Sequence, residues 1–135
     1  MKELTVFAGV DRLEQVTEFV NGVLEEADCP MKALMQIDLA VEELFVNIAS
    51  YAYRDRPGGG EAVIRAGAED GVVTIVFEDG GVPFDPTAKE DPDRAASAEE
   101  REIGGLGIFL TKKIMDGIAY EYRDGHNVLT VTKRI

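Results

Sequence analysis

A helical repeat of apolar side chains is the strongest constraint on how this chain can fold. The side chains recur every three or four residues, and they are Leu34, Ile37, Val41, Leu44 and Ile48. This spacing places all of them on one side of an α-helix that opens at Pro30 and runs to about Tyr51. The stripe predicts a helix that covers an apolar surface formed by other elements of the chain.

Two elements are predicted before this helix. Residues 2–8 alternate between polar and apolar side chains, which is typical of a strand. Asp11 is placed to cap a helix that follows the strand. The apolar side of that helix consists of Leu13, Val16, Val20, Val23, Leu24 and Ala27.

Two hairpins are predicted in the second half of the chain. Residues 61–68 and 72–78 are rich in Val and Ile and are joined across Asp70-Gly71. Residues 118–123 and 128–135 form a similar pair joined at Asp124-Gly125. Between the hairpins, a third helix is predicted over residues 108–116, with Gly117 placed to end it.

Residues 87–102 cannot belong to the core. They contain nine charged residues and no Val, Ile, Leu, Met, Phe, Tyr or Trp. Such a segment has no apolar side chain to bury, so we predict a mobile loop there.

The order of elements predicts the fold class. Five strands and three helices in 135 residues fit one α+β domain, residues 1–135, built as a two-layer sandwich. We expect a five-stranded, mostly antiparallel mixed sheet with the three helices on one face.

Composition excludes several classes of function. The net charge is −12 with only 14 Lys and Arg, which argues against nucleic acid as the main partner. The sequence has no apolar run long enough to span a membrane and no export signal, so a soluble cytoplasmic protein is expected. The single cysteine, Cys29, and the single histidine, His126, give no zinc-ligand cluster.

Glu43 and Asn47 are the first candidate site residues. They are four residues apart, so they project from the same side of the predicted second helix, offset from its apolar stripe. A carboxylate and an amide placed in this way can accept a proton and coordinate Mg²⁺. Taken alone, the pair is more often a solvated helix face.

Two glycine-containing segments are the other candidates. Asp79, Gly80 and Gly81 end a strand, where glycines let a flat ligand approach the backbone, although such a sequence taken alone is more often only a turn. Residues 104–107 form a glycine-rich entry to a helix, where free N–H groups favour phosphate oxygens. The alternative for this second segment is the hinge of a flexible lid.

The three segments together resemble the N, G1 and G2 boxes of the GHKL (Bergerat-fold) ATPases. The matching residues are Glu43-x-x-x-Asn47, Asp79-x-Gly81-x-Pro83-Phe84-Asp85 and Gly104-Gly105-x-Gly107. The similarity covers nearly the whole chain, and it is greatest to the branch of anti-sigma factor serine/threonine kinases. Pro83 departs from the second glycine that many members have in the G1 box, and Asn127 stands at a position often held by Thr.

The resemblance implies ATP and Mg²⁺ as ligands. By this resemblance Glu43 is the catalytic base, Asn47 holds the metal and Asp79 contacts adenine. The segment before Gly104, approximately residues 86–104, corresponds to the ATP lid. The complete set of expected nucleotide-binding residues is Asn47, Ser50, Asp79, Gly81, Phe84, Gly104, Gly105, Leu106, Gly107, Ile108, Asn127 and Thr130.

The resemblance also implies a biological role. Members of this branch transfer phosphate from ATP to a serine or threonine of a STAS-type anti-anti-sigma protein, and they sequester a sigma factor. A homodimer is typical of such proteins. Two alternatives remain open at this point: a nucleotide-binding switch or docking module that transfers no phosphate, and a fold in which the acids and glycines have only structural roles.

Overall fold

The fold is described from a computed structural model, which places residues 1–88 and 105–135. Residues 89–102 of the predicted mobile loop, most of the predicted lid and Gly104 therefore lie outside the described residues. Within the described ranges, no helix has the length and apolarity needed to cross a bilayer.

The helices and strands follow the predicted order. The strands are β1 (Lys2–Phe7), β2 (Glu61–Glu69), β3 (Val72–Asp79), β4 (Gly117–Arg123) and β5 (His126–Arg134). The helices are α1 (Leu13–Glu26), α2 (Met31–Tyr51) and α3 (Gly105–Ile114). Two short 3₁₀ turns, Val10–Arg12 and Pro86–Ala88, complete the described elements.

The five strands form one sheet in the order β1-β2-β3-β5-β4. The predicted α+β architecture with three helices is confirmed. All four strand pairings are antiparallel, so the parallel pairing that a mixed sheet would contain does not occur among the described strands. The last strand, β5, lies between β3 and β4, which brings Asn127 opposite Asp79.

Both predicted hairpin turns are confirmed by backbone geometry. The φ angles are 53° at Asp70 and 76° at Gly71, and 53° at Asp124 and 80° at Gly125. Two consecutive residues with positive φ are characteristic of a type I′ turn, whose twist matches that of the flanking strands. Asp and Gly tolerate this conformation better than most residues.

The core lies between α1, α2 and one face of the sheet. From α2 it contains Ile37, Val41, Leu44 and Phe45, whose side chains are at most 1% exposed. Alternate residues of the central strands complete it, including Ile64, Ile75, Phe77 and Val131. The predicted apolar stripe of α2 is therefore confirmed as its core-facing side.

Two predicted helix ends were wrong. Asp11 lies in the 3₁₀ turn before α1, and the N-cap residue, Arg12, makes no side-chain capping bond. α3 ends at Ile114, and Gly117 instead begins β4. A Cβ at Gly117 would lie 2.5 Å from Thr132 Oγ1 on β5, so glycine is needed there for close strand approach rather than for ending the helix.

The packing predicts the effect of truncating Phe45, which is fully buried. Phe45→Ala should lower the free energy of unfolding by about 3–5 kcal/mol, because it removes apolar contacts and leaves a cavity. Met35→Ala, on the same helix but 63% exposed, should change it by less than about 0.5 kcal/mol. Urea denaturation measures both values, and equal losses in the two variants would contradict this description of the core.

Candidate functional site

A cavity of about 250 Å³ opens between the C-terminal half of α2 and the adjoining ends of β3, β4 and β5. Its lining is Leu44, Asn47, Ile48, Tyr51, Ala52, Arg54, Phe77, Asp79, Val82, Pro83, Phe84, Pro86, Tyr120, Asn127 and Leu129. Pockets for whole small ligands usually measure about 300–1,000 Å³. The cavity therefore fits one flat, mostly apolar part of a larger ligand.

Four of the predicted site residues line this cavity: Asn47, Asp79, Phe84 and Asn127. Sequence reasoning missed the apolar and aromatic lining, such as Tyr51 and Tyr120. Tyr51 could have been found, because it lies one helical turn beyond Asn47 on α2. Tyr120 gave no signal, since its position depends on where β4 pairs with β5.

Asp79 supplies the buried carboxylate of the cavity, with a side chain that is 5% exposed. Its Oδ1 accepts hydrogen bonds from the Gly81 N–H at 2.9 Å and from Asn127 Nδ2 at 3.0 Å. Burial raises the pKa of Asp79, and these two hydrogen bonds partly oppose the shift. Both bonds fall on Oδ1, which orients the carboxylate relative to the cavity.

Asn127 uses its amide to hold the site together. Its Nδ2 donates to Asp79 Oδ1 and, at 2.9 Å, to the Val82 carbonyl. Its Oδ1 accepts from the Phe84 N–H at 3.1 Å and from the Tyr120 hydroxyl at 2.5 Å. Two donors and two acceptor sites are thereby occupied, so Asn127 positions other residues and has no free capacity for the predicted nucleotide contact.

Gly81 permits a close backbone contact rather than lining the cavity. A Cβ at this position would overlap the carbonyl of Ala52, and the next residue, Val82, donates its N–H to that carbonyl at 2.8 Å. Any side chain at position 81 would push the segment away from the end of α2.

Asn47 lines the cavity and carries an unsatisfied oxygen. Its Oδ1 is buried and has no hydrogen-bond partner among the described residues. A buried carbonyl oxygen without a partner is costly unless a ligand or ion binds it. The described ranges contain no group of three or more His, Cys, Asp or Glu residues that could hold a metal. A metal at Asn47 would thus need ligands from the bound molecule and water, which is how Mg²⁺ is usually held.

Glu43 lies against the start of α3. A Cβ on Gly107 would overlap the carboxylate of Glu43, so this carboxylate is in close contact with the first turn of the helix. The glycine leaves room for that contact, and Thr111 Oγ1 donates to the Gly107 carbonyl at 2.9 Å. The structure therefore brings together the first and third predicted motifs, although Glu43 and Gly107 are more than sixty residues apart in sequence.

The first turn of α3 contains those residues of the third predicted motif that the structure describes. The helix begins at Gly105 and includes Leu106 and Gly107. Its free N–H groups and helix dipole favour an anion at this end. The side chain of Ile108 is 2% exposed and belongs to the core, so only its backbone can serve a ligand.

Two predicted nucleotide contacts do not fit the geometry. Ser50 is exposed on α2 and does not line the cavity. Thr130 lies between Leu129 and Val131, whose side chains face the buried side of the sheet. Strand alternation directs Thr130 to the opposite face, so its side chain does not line the cavity.

The sequence of the chain matches the family model described as histidine kinase-like ATPase domain over residues 7–133. It is similar to the serine/threonine-protein kinase BtrW of Bordetella bronchiseptica, with 31% identity over 97 residues, 71% of this chain and 67% of the relative. It is also 31% identical to the serine-protein kinase RsbW of Listeria monocytogenes over 120 residues, 86% of this chain and 75% of the relative.

A third relative extends the similarity to almost the entire chain. The serine-protein kinase RsbW of Staphylococcus aureus is 26% identical over an alignment of 137 positions, covering 98% of this chain and 86% of the relative. The resemblance to GHKL ATPases and to their serine/threonine kinase branch is confirmed. The matched region contains the cavity, the buried carboxylate and the helix that begins at Gly105. The chain belongs to the histidine kinase-like ATPase domain family.

Proposed function

We propose that this chain is an ATP-dependent serine/threonine protein kinase whose nucleotide binds between α2, α3 and the end of β3. The observation that carries the proposal is the contact of the Glu43 carboxylate with Gly107 at the start of α3. This contact puts a proton acceptor beside a helix end that favours phosphate. The matched relatives with kinase names support the same activity.

Each part of the nucleotide has a proposed binding element. Asp79 is proposed to accept the exocyclic amino group of adenine through Oδ2, because Oδ1 already holds two donors. Apolar side chains such as Ile48 and Leu129 line the cavity that would enclose the base. The backbone of Gly105 and Gly107 would bind phosphate oxygens, with Gly104 as a further proposed contact outside the described residues.

The unsatisfied Oδ1 of Asn47 fits a magnesium ligand. Mg²⁺ bound there together with phosphate oxygens would neutralise charge that develops on the phosphates during transfer. The protein would supply one ligand to this ion.

The proposed reaction transfers the γ-phosphoryl group to a hydroxyl. The hydroxyl oxygen of the acceptor serine or threonine forms a bond to the γ-phosphorus, while the bond from that phosphorus to the β,γ-bridging oxygen breaks. ADP leaves with the electron pair, and Glu43 takes the hydroxyl proton. Glu43 thus acts as the general base.

We further propose a STAS-type anti-anti-sigma protein as the phosphate acceptor and a sigma factor as a second, sequestered partner. We expect the protein to act in the cytoplasm as a homodimer. These assignments rest on the family resemblance of the three motifs and on the kinase names of the relatives. A nucleotide-binding switch without transfer is the competing possibility, which phosphate-transfer measurements distinguish.

Replacing Glu43 tests the proposed base. Glu43→Gln should slow phosphate transfer to the STAS-type protein encoded nearest to this chain by about 10²–10⁴-fold, because the amide cannot accept the proton. The affinity for MgATP should stay within a few-fold of wild type. Labelled ATP measures the transfer rate, and calorimetry measures the affinity.

Glu42→Gln is the matched control, because Glu42 is the exposed neighbour on the same helix. It should leave the transfer rate unchanged. Transfer by Glu43→Gln at the wild-type rate would remove Glu43 from the base role. ATP binding without any transfer by the wild type would favour the nucleotide switch.

Asp79→Asn tests the adenine contact without removing the internal hydrogen bonds. The amide oxygen can still accept from Gly81 and Asn127, but an NH₂ group replaces the oxygen proposed to face adenine. The NH₂ group of the variant and the exocyclic amino group of adenine are both hydrogen-bond donors and would face each other. ATP binding should therefore weaken at least about tenfold. Calorimetric titration with MgATP measures this change, and wild-type affinity in the variant would contradict the assignment.

The same variant should be at least as stable as wild type at pH 7. Burial raises the pKa of Asp79 above its ordinary 3.8, so ionising this group costs stability in the folded state. The free energy of unfolding of the wild type should fall as the pH rises from 3.8, the ordinary pKa, to the raised pKa of Asp79 in the folded state. Asp79→Asn has no carboxyl group at this position and should not show that fall. Thermal melts across this pH range measure the difference; a variant that loses stability at pH 7 relative to wild type would contradict the prediction.

A further inference from the structure

Pairing between β2 and β3 stops at Ala62 and Asp79. If the register continued, the next pair would be Glu61 and Gly80. The hydroxyl of Tyr53 lies between these two residues instead. It accepts a hydrogen bond from the Gly80 N–H at 2.7 Å and donates one to the Glu61 carbonyl at 2.5 Å. A side-chain hydroxyl therefore bridges the two strands where a direct backbone bond would otherwise form.

Tyr53 is held in this position from two directions. The guanidinium of Arg56 lies over its ring, 5.0 Å from the centroid, and Arg56 Nη2 donates to the Gly80 carbonyl at 3.3 Å. Gly60 lies so close to the ring that a Cβ there would overlap it. Burial raises the pKa of the Tyr53 hydroxyl, so it stays protonated at neutral pH and can donate to Glu61.

The separation of the strands redirects the segment after Asp79. Beyond this point the chain leaves β2 and attaches to the end of α2, where Val82 donates to the Ala52 carbonyl. The contact of Gly81 with the same carbonyl shows how closely the two segments approach. The cavity lies beside this junction and is lined by both Ala52 and Val82.

We propose that Tyr53 is a positioning residue for nucleotide binding, and this inference rests on the proposed function. Its hydroxyl ends the β2–β3 pairing at Asp79 and so keeps residues 80–82 on the end of α2, where Val82 lines the cavity. Tyr53 itself does not line the cavity. It acts on the ligand through the position of Gly80 and the orientation of the neighbouring Asp79.

Loss of the hydroxyl should allow the strands to close. In Tyr53→Phe, the Gly80 N–H and the Glu61 carbonyl each lose their partner, and a direct bond between them is the simplest way to satisfy both. That bond would extend the ladder by one pair and draw the following residues, Gly81 and Val82, away from the Ala52 carbonyl that they contact. Nucleotide binding would then require the added bond to break again, which reduces the apparent affinity.

The test is calorimetric titration of wild type and Tyr53→Phe with MgATP and with MgADP. Tyr53→Phe should raise both dissociation constants about tenfold, which corresponds to about 1.4 kcal/mol. The factor should be the same for the two nucleotides, because the change affects the wall at Asp79 and not the phosphate-binding helix end. Tyr122→Phe, at a 48% exposed position on β4, is the matched control and should bind like wild type.

Gly60→Ala provides a second, independent perturbation. The added methyl group would displace the Tyr53 ring without changing any residue that lines the cavity. It should weaken the binding of MgATP and of MgADP by the same factor, as Tyr53→Phe does. Gly22→Ala, on an open position of α1, is its control and should leave both affinities unchanged.

The outcomes separate this inference from the proposed function. Wild-type affinity in Tyr53→Phe and Gly60→Ala, with a wild type that binds MgATP, would overturn the positioning role alone. A larger loss for MgATP than for MgADP would also overturn it, because the effect would then lie at the phosphates. A wild type that binds neither nucleotide would overturn the proposed function together with this inference.

Discussion

Burial of one side of α2 is the constraint on which the rest of the structure depends. The side chains of Ile37, Leu44 and Phe45 must leave water, and the sheet is the surface that receives them. Once that side is fixed, the adjacent polar side of the helix has a fixed direction as well. Glu43 then meets the start of α3, and Asn47 meets the cavity, so core packing determines the geometry of the candidate site.

The second requirement is to keep a carboxylate in an apolar cavity without leaving it free to rotate. Asn127 and Gly81 satisfy one oxygen of Asp79, and Asn127 also holds Val82 and Phe84. This network works only because β5 lies directly beside β3. The site is therefore formed by strand order as much as by the residues of the three motifs.

Local patterns in the sequence predicted most of the fold. The stripe of α2 and the Asp-Gly turns are read from neighbouring residues, so their prediction needed no tertiary information. The roles of Asn127, Thr130 and Tyr53 could not be read in this way. Each depends on which strand lies beside β3, which face a residue occupies, or where one strand pairing stops. The family motifs indicated the residues that we propose a ligand touches, but not those that hold them in place.

The central claim is that ATP binds in the cavity between α2 and the ends of β3 and β5. Titration of ¹⁵N-labelled protein with MgATP, followed by NMR chemical shifts, tests it most directly. The account predicts that the largest shifts occur at residues 79–84, at the Asn47 side chain and at the start of α3, with the open face around Thr130 little affected. Shifts confined to another surface, or none at saturating MgATP, would contradict it.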